Sequence, residues 1–137
     1  MVDGVFISMD KSKLDIGFIY EYLCYESYWA KGRSLNDVKK SIENSLCFGV
    51  YNKDQQQIGF ARLVTDSVVF AWLMDVFIAR DYRGNGLSKM LMDYILKIPE
   101  LQNVNGIGLR TNDAHKLYEK FGFRIIENSE TWMLKKR

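Results

Sequence analysis

Apolar positions along this chain switch between strand-like and helix-like spacing, and the switches mark its elements. Val5 to Ser8 reads as a short strand. Asp10 or Ser12 can then cap a helix over about Leu14–Cys24, with Ser12 and Asp15 at capping-box spacing. A loop, Tyr25–Arg33, follows, and Ser34 caps a second helix over about Leu35–Ser45. Leu46–Asn52 and Ile58–Thr65 are strands joined by the polar turn Lys53–Gln57, which predicts a hairpin. Asp66-Ser67 forms the next turn, and Val68–Ala79 is a longer strand. A helix opening at Gly86 ends near Lys97, ahead of Pro99, with Leu87, Met90, Leu91, Tyr94 and Ile95 along one face. Val104–Arg110 is a strand, Ala114, Leu117, Tyr118 and Phe121 stripe a short helix that stops at Gly122, and Phe123–Glu127 with Thr131–Leu134 predicts a terminal hairpin. The order is β-α-α-β-β-β-α-β-α-β-β, with no repeat, linker or low-complexity tract. Residues 1–137 are expected to form one domain.

Composition narrows the function classes. At 137 residues, 47% hydrophobic and 26% charged, the chain can bury a core of its own. A net charge of +2 is too small to argue for nucleic acid or a membrane as partner. No apolar run approaches the ~20 residues of a membrane helix, and the N-terminus lacks a signal-peptide pattern. Cys24 and Cys47 have neither metal-type nor thioredoxin-type spacing, and one histidine leaves a His/Cys zinc site short of ligands, so no metal is expected. The two thiols suit a reducing compartment, the cytoplasm. His115 falls on the polar face of its helix and reads as solvated, which argues against a histidine triad.

The densest chemical signal is Val76–Ser88, an apolar strand that runs into a glycine turn opening a helix. Arg83-Gly84-Asn85-Gly86-Leu87-Ser88 sits where free backbone N–H groups and the helix dipole converge, a ready anion site. Gly84 and Gly86 allow the close approach that a Cβ would prevent, and Arg83 can add a forked positive charge. A pyrophosphate fits. The run lacks the Gly-Lys-Ser/Thr of a Walker A loop, and Lys89 occupies the third glycine position of a dinucleotide fingerprint.

The turn resembles the acyl-CoA loop of the GNAT superfamily of acetyl-CoA-dependent N-acyltransferases, Arg/Gln-x-x-Gly-x-Gly/Ala, on Arg83, Gly86 and Ser88. Ser88 stands where the family has glycine or alanine. About thirty residues later Thr111–Phe123 resembles the family's last block, Asn-x-x-Ala-x-x-x-Tyr-x-x-x-Gly-Phe, with Ala114, Tyr118, Gly122 and Phe123 in register. Thr111 takes the place of the family's leading asparagine, and Asn112 lies one position on. The resemblance covers nearly the whole chain. It implies an α/β (α+β) fold with a mixed, mostly antiparallel sheet flanked by helices. It also implies acetyl-CoA as co-substrate, held by Arg83–Ser88, by Thr111 and Asn112, and by a bulged strand at Val76, Phe77 and Ile78.

Acyl transfer to an amine needs donors at the thioester carbonyl, an acid for the departing thiolate and loss of an amine proton. Tyr118 is the candidate acid: a phenol with a pKa of about 10 stays protonated at neutral pH, and the resemblance sets it beside the sulfur. Asp75, the only charge in Val68–Ile78, is the candidate base if burial raises its pKa. Its alternative is to tie the sheet together through an arginine such as Arg62. The loop residues Tyr28, Trp29 and Arg33, with Trp72 on the strand, are candidates for the acceptor wall and suit a planar or anionic substrate. An aromatic loop can equally plug a core edge. The expected activity is acetyl transfer to a primary amine of a small molecule or peptide. A non-catalytic acyl-CoA-binding module working through a protein partner is the alternative, and the terminal edge strand offers a homodimer a pairing surface.

Overall fold

The computed structural model describes residues 3–137. Five strands form one sheet in the order β1-β2-β3-β4-β5: β1 (Phe6–Ser8), β2 (Leu46–Tyr51), β3 (Gln57–Thr65), β4 (Phe70–Ile78) and β5 (Gly106–Gly108). Neighbours are antiparallel except β4 and β5, which are parallel. The helices are α1 (Ile16–Glu21), α2 (Leu35–Glu43), α3 (Leu87–Leu96) and α4 (His115–Glu119). This is the mixed, mostly antiparallel sheet flanked by helices that the sequence implied.

Strand alternation sends side chains to two cores, one on each face of the sheet. On one face Phe48, Val50, Leu63 and Leu73 pack against Leu87, Leu91, Met92 and Ile95 of α3. On the other Cys47, Phe60 and Phe77 meet Ile19 and Leu23 of the first helical segment and Val38 and Ile42 of α2. Ser34 caps α2 as expected, its hydroxyl accepting from the Asp37 N–H.

Several boundaries differ from the sequence reading; β4, for one, runs over Phe70–Ile78 rather than Val68–Ala79. The first helix begins at Ile16 rather than Leu14. Asp15 is its cap, while Asp10 closes only a 3₁₀ turn over Lys11–Lys13. The Asp15 N–H donates to Gln57 Oε1 at 2.7 Å, which pins the chain to β3 and sets where the helix can start. Beyond Glu21 the helix widens into a π turn, Tyr22–Glu26. Of Val104–Arg110, only Gly106–Gly108 pairs as a strand.

The expected terminal hairpin does not form. Asn128 to Trp132 closes into a 3₁₀ turn, with the Thr131 and Trp132 N–H groups donating to the Asn128 and Ser129 carbonyls. That turn leaves Phe123–Glu127 and Thr131–Leu134 with no ladder between them.

β4 carries a bulge. Arg62 pairs with Met74 and Phe60 with Phe77, so Asp75 and Val76 together oppose Ala61. Asp75 takes a φ of 53°, a left-handed conformation that aspartate tolerates better than most side chains. The bulge falls in the stretch where the family resemblance implied one.

Candidate active site

The bulge is held by a buried ionic cluster. Asp75, 5% exposed, accepts from Arg62 Nε at 2.6 Å and Arg33 Nη1 at 2.7 Å through one carboxylate oxygen. Its other oxygen accepts from the Trp29 indole N–H at 2.8 Å. Arg62 also reaches the Ser45 hydroxyl. Burial is the largest influence on the Asp75 carboxyl and pushes its pKa up. The hydrogen bonds and charges of Arg62 and Arg33 outweigh burial, leaving the pKa below the ordinary carboxylate value. This corrects the expectation of a raised pKa: Asp75 stays ionised and is a poor acceptor for a proton near neutrality. The geometry matches the alternative, a carboxylate tying strand and loop together through arginines.

β4 and β5 pair only over Phe70–Trp72 and Gly106–Gly108. Past Trp72 the strands separate, so the far half of β4 has backbone groups on one side that pair with no neighbouring strand. Sequence alternation gave no sign of this parting; the length mismatch between the two strands creates it.

A cavity of about 440 Å³ opens in the gap. It brings together Tyr28, Trp29, Arg33, Trp72, Asp75, Val76, Thr111, Asn112 and Tyr118, all of which the sequence had singled out from separate segments. It also gathers Met74, Arg110 and Asp113, which the sequence reading missed. Arg110 was readable as the last residue of its predicted strand, but no local pattern pointed it at the site.

Tyr118 is buried in the wall of this cavity, its ring edge-on to Phe123 at 5.8 Å between centroids. Burial, with smaller effects from Tyr28 and Asp113, pushes its phenol up to about 12. The proton is therefore retained across the whole working range. The Tyr28 hydroxyl accepts from the Asn112 N–H at 2.9 Å, fastening the aromatic loop to the segment that enters α4. Thr111 Oγ1 accepts from the Ala114 N–H at 3.0 Å, so this side chain caps the turn.

The glycine turn sits at the N-terminus of α3. Gly84 and Gly86 have φ of 79° and 75°, and a Cβ on either would meet nothing within 4 Å. The space in front of the turn is open. Gly86 is the cap residue and no side chain closes the end of the helix. The first backbone bond of α3 runs from the Met90 N–H to the Gly86 carbonyl. The N–H groups from Gly84 to Lys89 therefore have no protein acceptor among the described residues. Donors in this arrangement suit a pyrophosphate, whose oxygens can offset the loss of their water.

Arg83 behaves differently from expectation. Its Nε donates to the Ile78 carbonyl at 3.0 Å and its Nη2 to the Tyr22 hydroxyl at 2.6 Å. The guanidinium is turned inward, bracing the turn against the end of β4 and the first helical segment. Phe77 and Ile78 are buried by their side chains, with Phe77 stacked on Tyr22 at 3.8 Å. The Phe77 backbone lies on the β3 side of the strand, opposite Phe60, and the Ile78 carbonyl is already in use by Arg83. Leu87 is a core residue whose N–H alone is open at the turn, and Asn85 donates its amide to the Tyr82 and Arg83 carbonyls to shape it.

These residues fit acetyl-CoA: open N–H donors for a pyrophosphate, a freed strand edge beyond Trp72, and a cavity ending at a protonated phenol. A family model for the acetyltransferase (GNAT) domain matches residues 43–125. The crystal structure of a GNAT-family protein from Xanthomonas campestris pv. campestris is 39% identical, with a TM-score of 0.95 over 100% of this chain, the C-terminal tail included, and 96% of that one. The uncharacterized N-acetyltransferase ycf52 of Gracilaria tenuistipitata var. liui is 37% identical over 75% of this chain. A ycf52-like N-acetyltransferase of Prochlorococcus marinus is 41% identical over 56% of it. The chain spans 59% and 44% of the lengths of these two relatives.

Proposed function

The chain belongs to the GNAT family of acetyltransferases, and on that premise we propose that it moves the acetyl group of acetyl-CoA to a primary amine of a small molecule or peptide. One observation carries the proposal. The unpaired N–H groups before α3, the parted edge of β4 and the Tyr118 cavity lie in the order in which pyrophosphate, pantetheine and thioester follow one another along acetyl-CoA.

Bound acetyl-CoA supplies the thioester, and the protein's own groups do the rest. The N–H groups of Gly84 to Ser88 hold the pyrophosphate, with Arg83 acting as the brace of the turn. Backbone groups at Val76, beside the bulge and on the edge of β4 beyond its pairing with β5, bind along the pantetheine and thioester carbonyl, where negative charge develops. Thr111 and Asn112 shape the opposite wall. Tyr118 donates its proton to the departing thiolate. The amine loses its proton to solvent through the open cavity, since Asp75 is committed to two guanidiniums.

Tyr28, Trp29, Trp72 and Arg33 form the acceptor side, which suits an amine carrying a planar or anionic group. The free thiols Cys24 and Cys47 suit the cytoplasm. No observation favours a non-catalytic binding module.

The test is calorimetric titration of acetyl-CoA into the wild type and Ser88→Glu. A carboxylate in the first turn of α3 favours the helix but repels a pyrophosphate, so the variant should keep its fold and lose binding. CoA-thiol release with a panel of amines then reads transfer. A wild type that fails to bind, or a Ser88→Glu variant that binds as tightly, refutes the placement.

A further inference from the structure

The aromatic loop does something that lining a cavity does not require: it ties one lip of the gap between β4 and β5 to the other. Trp72 and Gly108 are the last pair of the parallel ladder. Continued in the same register, the ladder would set Asp75 against Thr111 and Val76 against Asn112, and the gap would close. Backbone groups left free at a strand edge favour such pairing. The loop instead takes hold of each lip. On the β5 side the Tyr28 hydroxyl accepts from the Asn112 N–H at 2.9 Å. On the β4 side the Trp29 indole N–H and Arg33 Nη1 donate to the two oxygens of Asp75, at 2.8 and 2.7 Å.

Internal bonds make this loop stiff. The buried Ser27 hydroxyl donates to the Leu23 carbonyl at 2.7 Å and accepts from the Ala30 N–H at 3.0 Å. The Gly32 N–H donates to the Cys24 carbonyl, and the Arg33 N–H to the Ala30 carbonyl. Tyr28 and Trp29 meet edge to face, 5.1 Å between ring centroids, and Trp29 leans on Tyr22 behind it. The Asp75 anchor is fixed in turn by Arg62, which also reaches the Ser45 hydroxyl. Loop and anchors are one packed unit.

We propose that the Tyr28–Arg33 segment is a fixed spacer that keeps β4 and β5 apart, with Tyr28, Trp29 and Arg33 as positioning residues for the acetyl-CoA slot. The ligand of the slot rests on the transferase reading, whereas the spacing rests on the bonds to the two lips. The slot is thus formed before the cofactor arrives, and binding breaks no strand pairing. Residues on the acceptor side thereby set cofactor affinity, which a simple acceptor wall would leave alone.

Calorimetric titration with acetyl-CoA, in the absence of any amine, tests this on variants that release one lip at a time. Tyr28→Phe keeps the ring and frees the β5 side. Trp29→Phe/Arg33→Met frees the β4 side and leaves Asp75 paired with Arg62. All three side chains reach solvent, so the core stays intact and circular dichroism should not change. Either release should weaken acetyl-CoA binding at least about fivefold, the scale of one hydrogen bond. A spacer cut at one end no longer spaces, so the combined variant should lose no more than the weaker-binding of the two, whereas independent contacts would multiply. In the cofactor-free protein the Asn112 amide should exchange about fivefold faster in Tyr28→Phe. It should also exchange faster in Trp29→Phe/Arg33→Met, which leaves the Asn112 partner in place. Unchanged acetyl-CoA affinity in either release, effects that multiply, or an Asn112 amide indifferent to the β4-side release overturns the spacer. A wild type that binds no acetyl-CoA fails the transferase placement instead, and amide exchange then decides the spacer by itself.

Discussion

Replacing Asp75 by asparagine distinguishes the two roles that a lone acid in an apolar strand can have. A base would tolerate the change in folding and lose an acidic limb of its pH–rate profile. The structure gives the opposite expectation. The Asp75 side chain is 1% exposed and pairs with Arg62, 9% exposed, and Arg33, 22% exposed. Asparagine keeps one acceptor but removes the charge and leaves two guanidiniums facing an amide. Breaking one side of a buried ion pair costs about 3–5 kcal/mol. The lower end applies here, because Arg33 reaches solvent and asparagine retains one bond, so we expect about 3 kcal/mol of destabilisation. With a urea dependence of about 2 kcal/mol per molar, the unfolding midpoint should fall by about 1.5 M.

The pH dependence follows from the lowered carboxyl. A carboxylate stabilised in the folded state contributes above its unfolded pKa of about 4 and loses that contribution as pH falls through the lower folded value. The gap between wild type and Asp75→Asn should therefore be full at pH 7 and close only in acid. Urea unfolding of both proteins at pH 7 and in acid reads this directly. A variant within about 1 kcal/mol of wild type at neutral pH, the size of an ordinary substitution, would refute the argument. So would a neutral-range rate limb that vanishes in the variant, which would restore Asp75 as base.

Two further outcomes follow. Tyr118→Phe should keep acetyl-CoA binding and lose about 10²-fold in turnover, the scale of a general acid. With the wild-type phenol pushed up to about 12, its rate should show no alkaline fall attributable to Tyr118 up to pH 10, and a limb near 9 that disappears in the variant would contradict the assignment. The Tyr51 hydroxyl is buried with no partner among the described residues, so Tyr51→Phe should be neutral or stabilising by about 1 kcal/mol in thermal or urea unfolding. A clear loss of stability there would show that the hydroxyl is satisfied after all.

Local signals in the sequence were read correctly where neighbours within one turn settle the outcome. Ser34 and the stripe that follows it made α2, and the Lys53–Gln57 turn made the β2–β3 hairpin. Gly84 and Gly86 marked the open turn before α3 because a left-handed backbone beside a helix start is a local requirement. Tyr118 was found through its register with Ala114 and Gly122, and it lines the cavity. The C-terminal hairpin failed for the converse reason. Alternation at Phe123–Glu127 and Thr131–Leu134 describes a strand face, but a strand exists only when a partner supplies its hydrogen bonds.

By itself, then, the sequence determined most of the elements, the glycine turn before α3 and most of the side chains singled out that line the cavity. The tertiary structure decided what each polar side chain does there. Arg83 turns to Tyr22 across 61 residues, Asp75 meets Arg33 across 42, and Tyr28 meets Asn112 across 84. A buried charge or donor takes whichever partner the packed fold brings within about 3 Å, and chain spacing carries no information about contacts at that range.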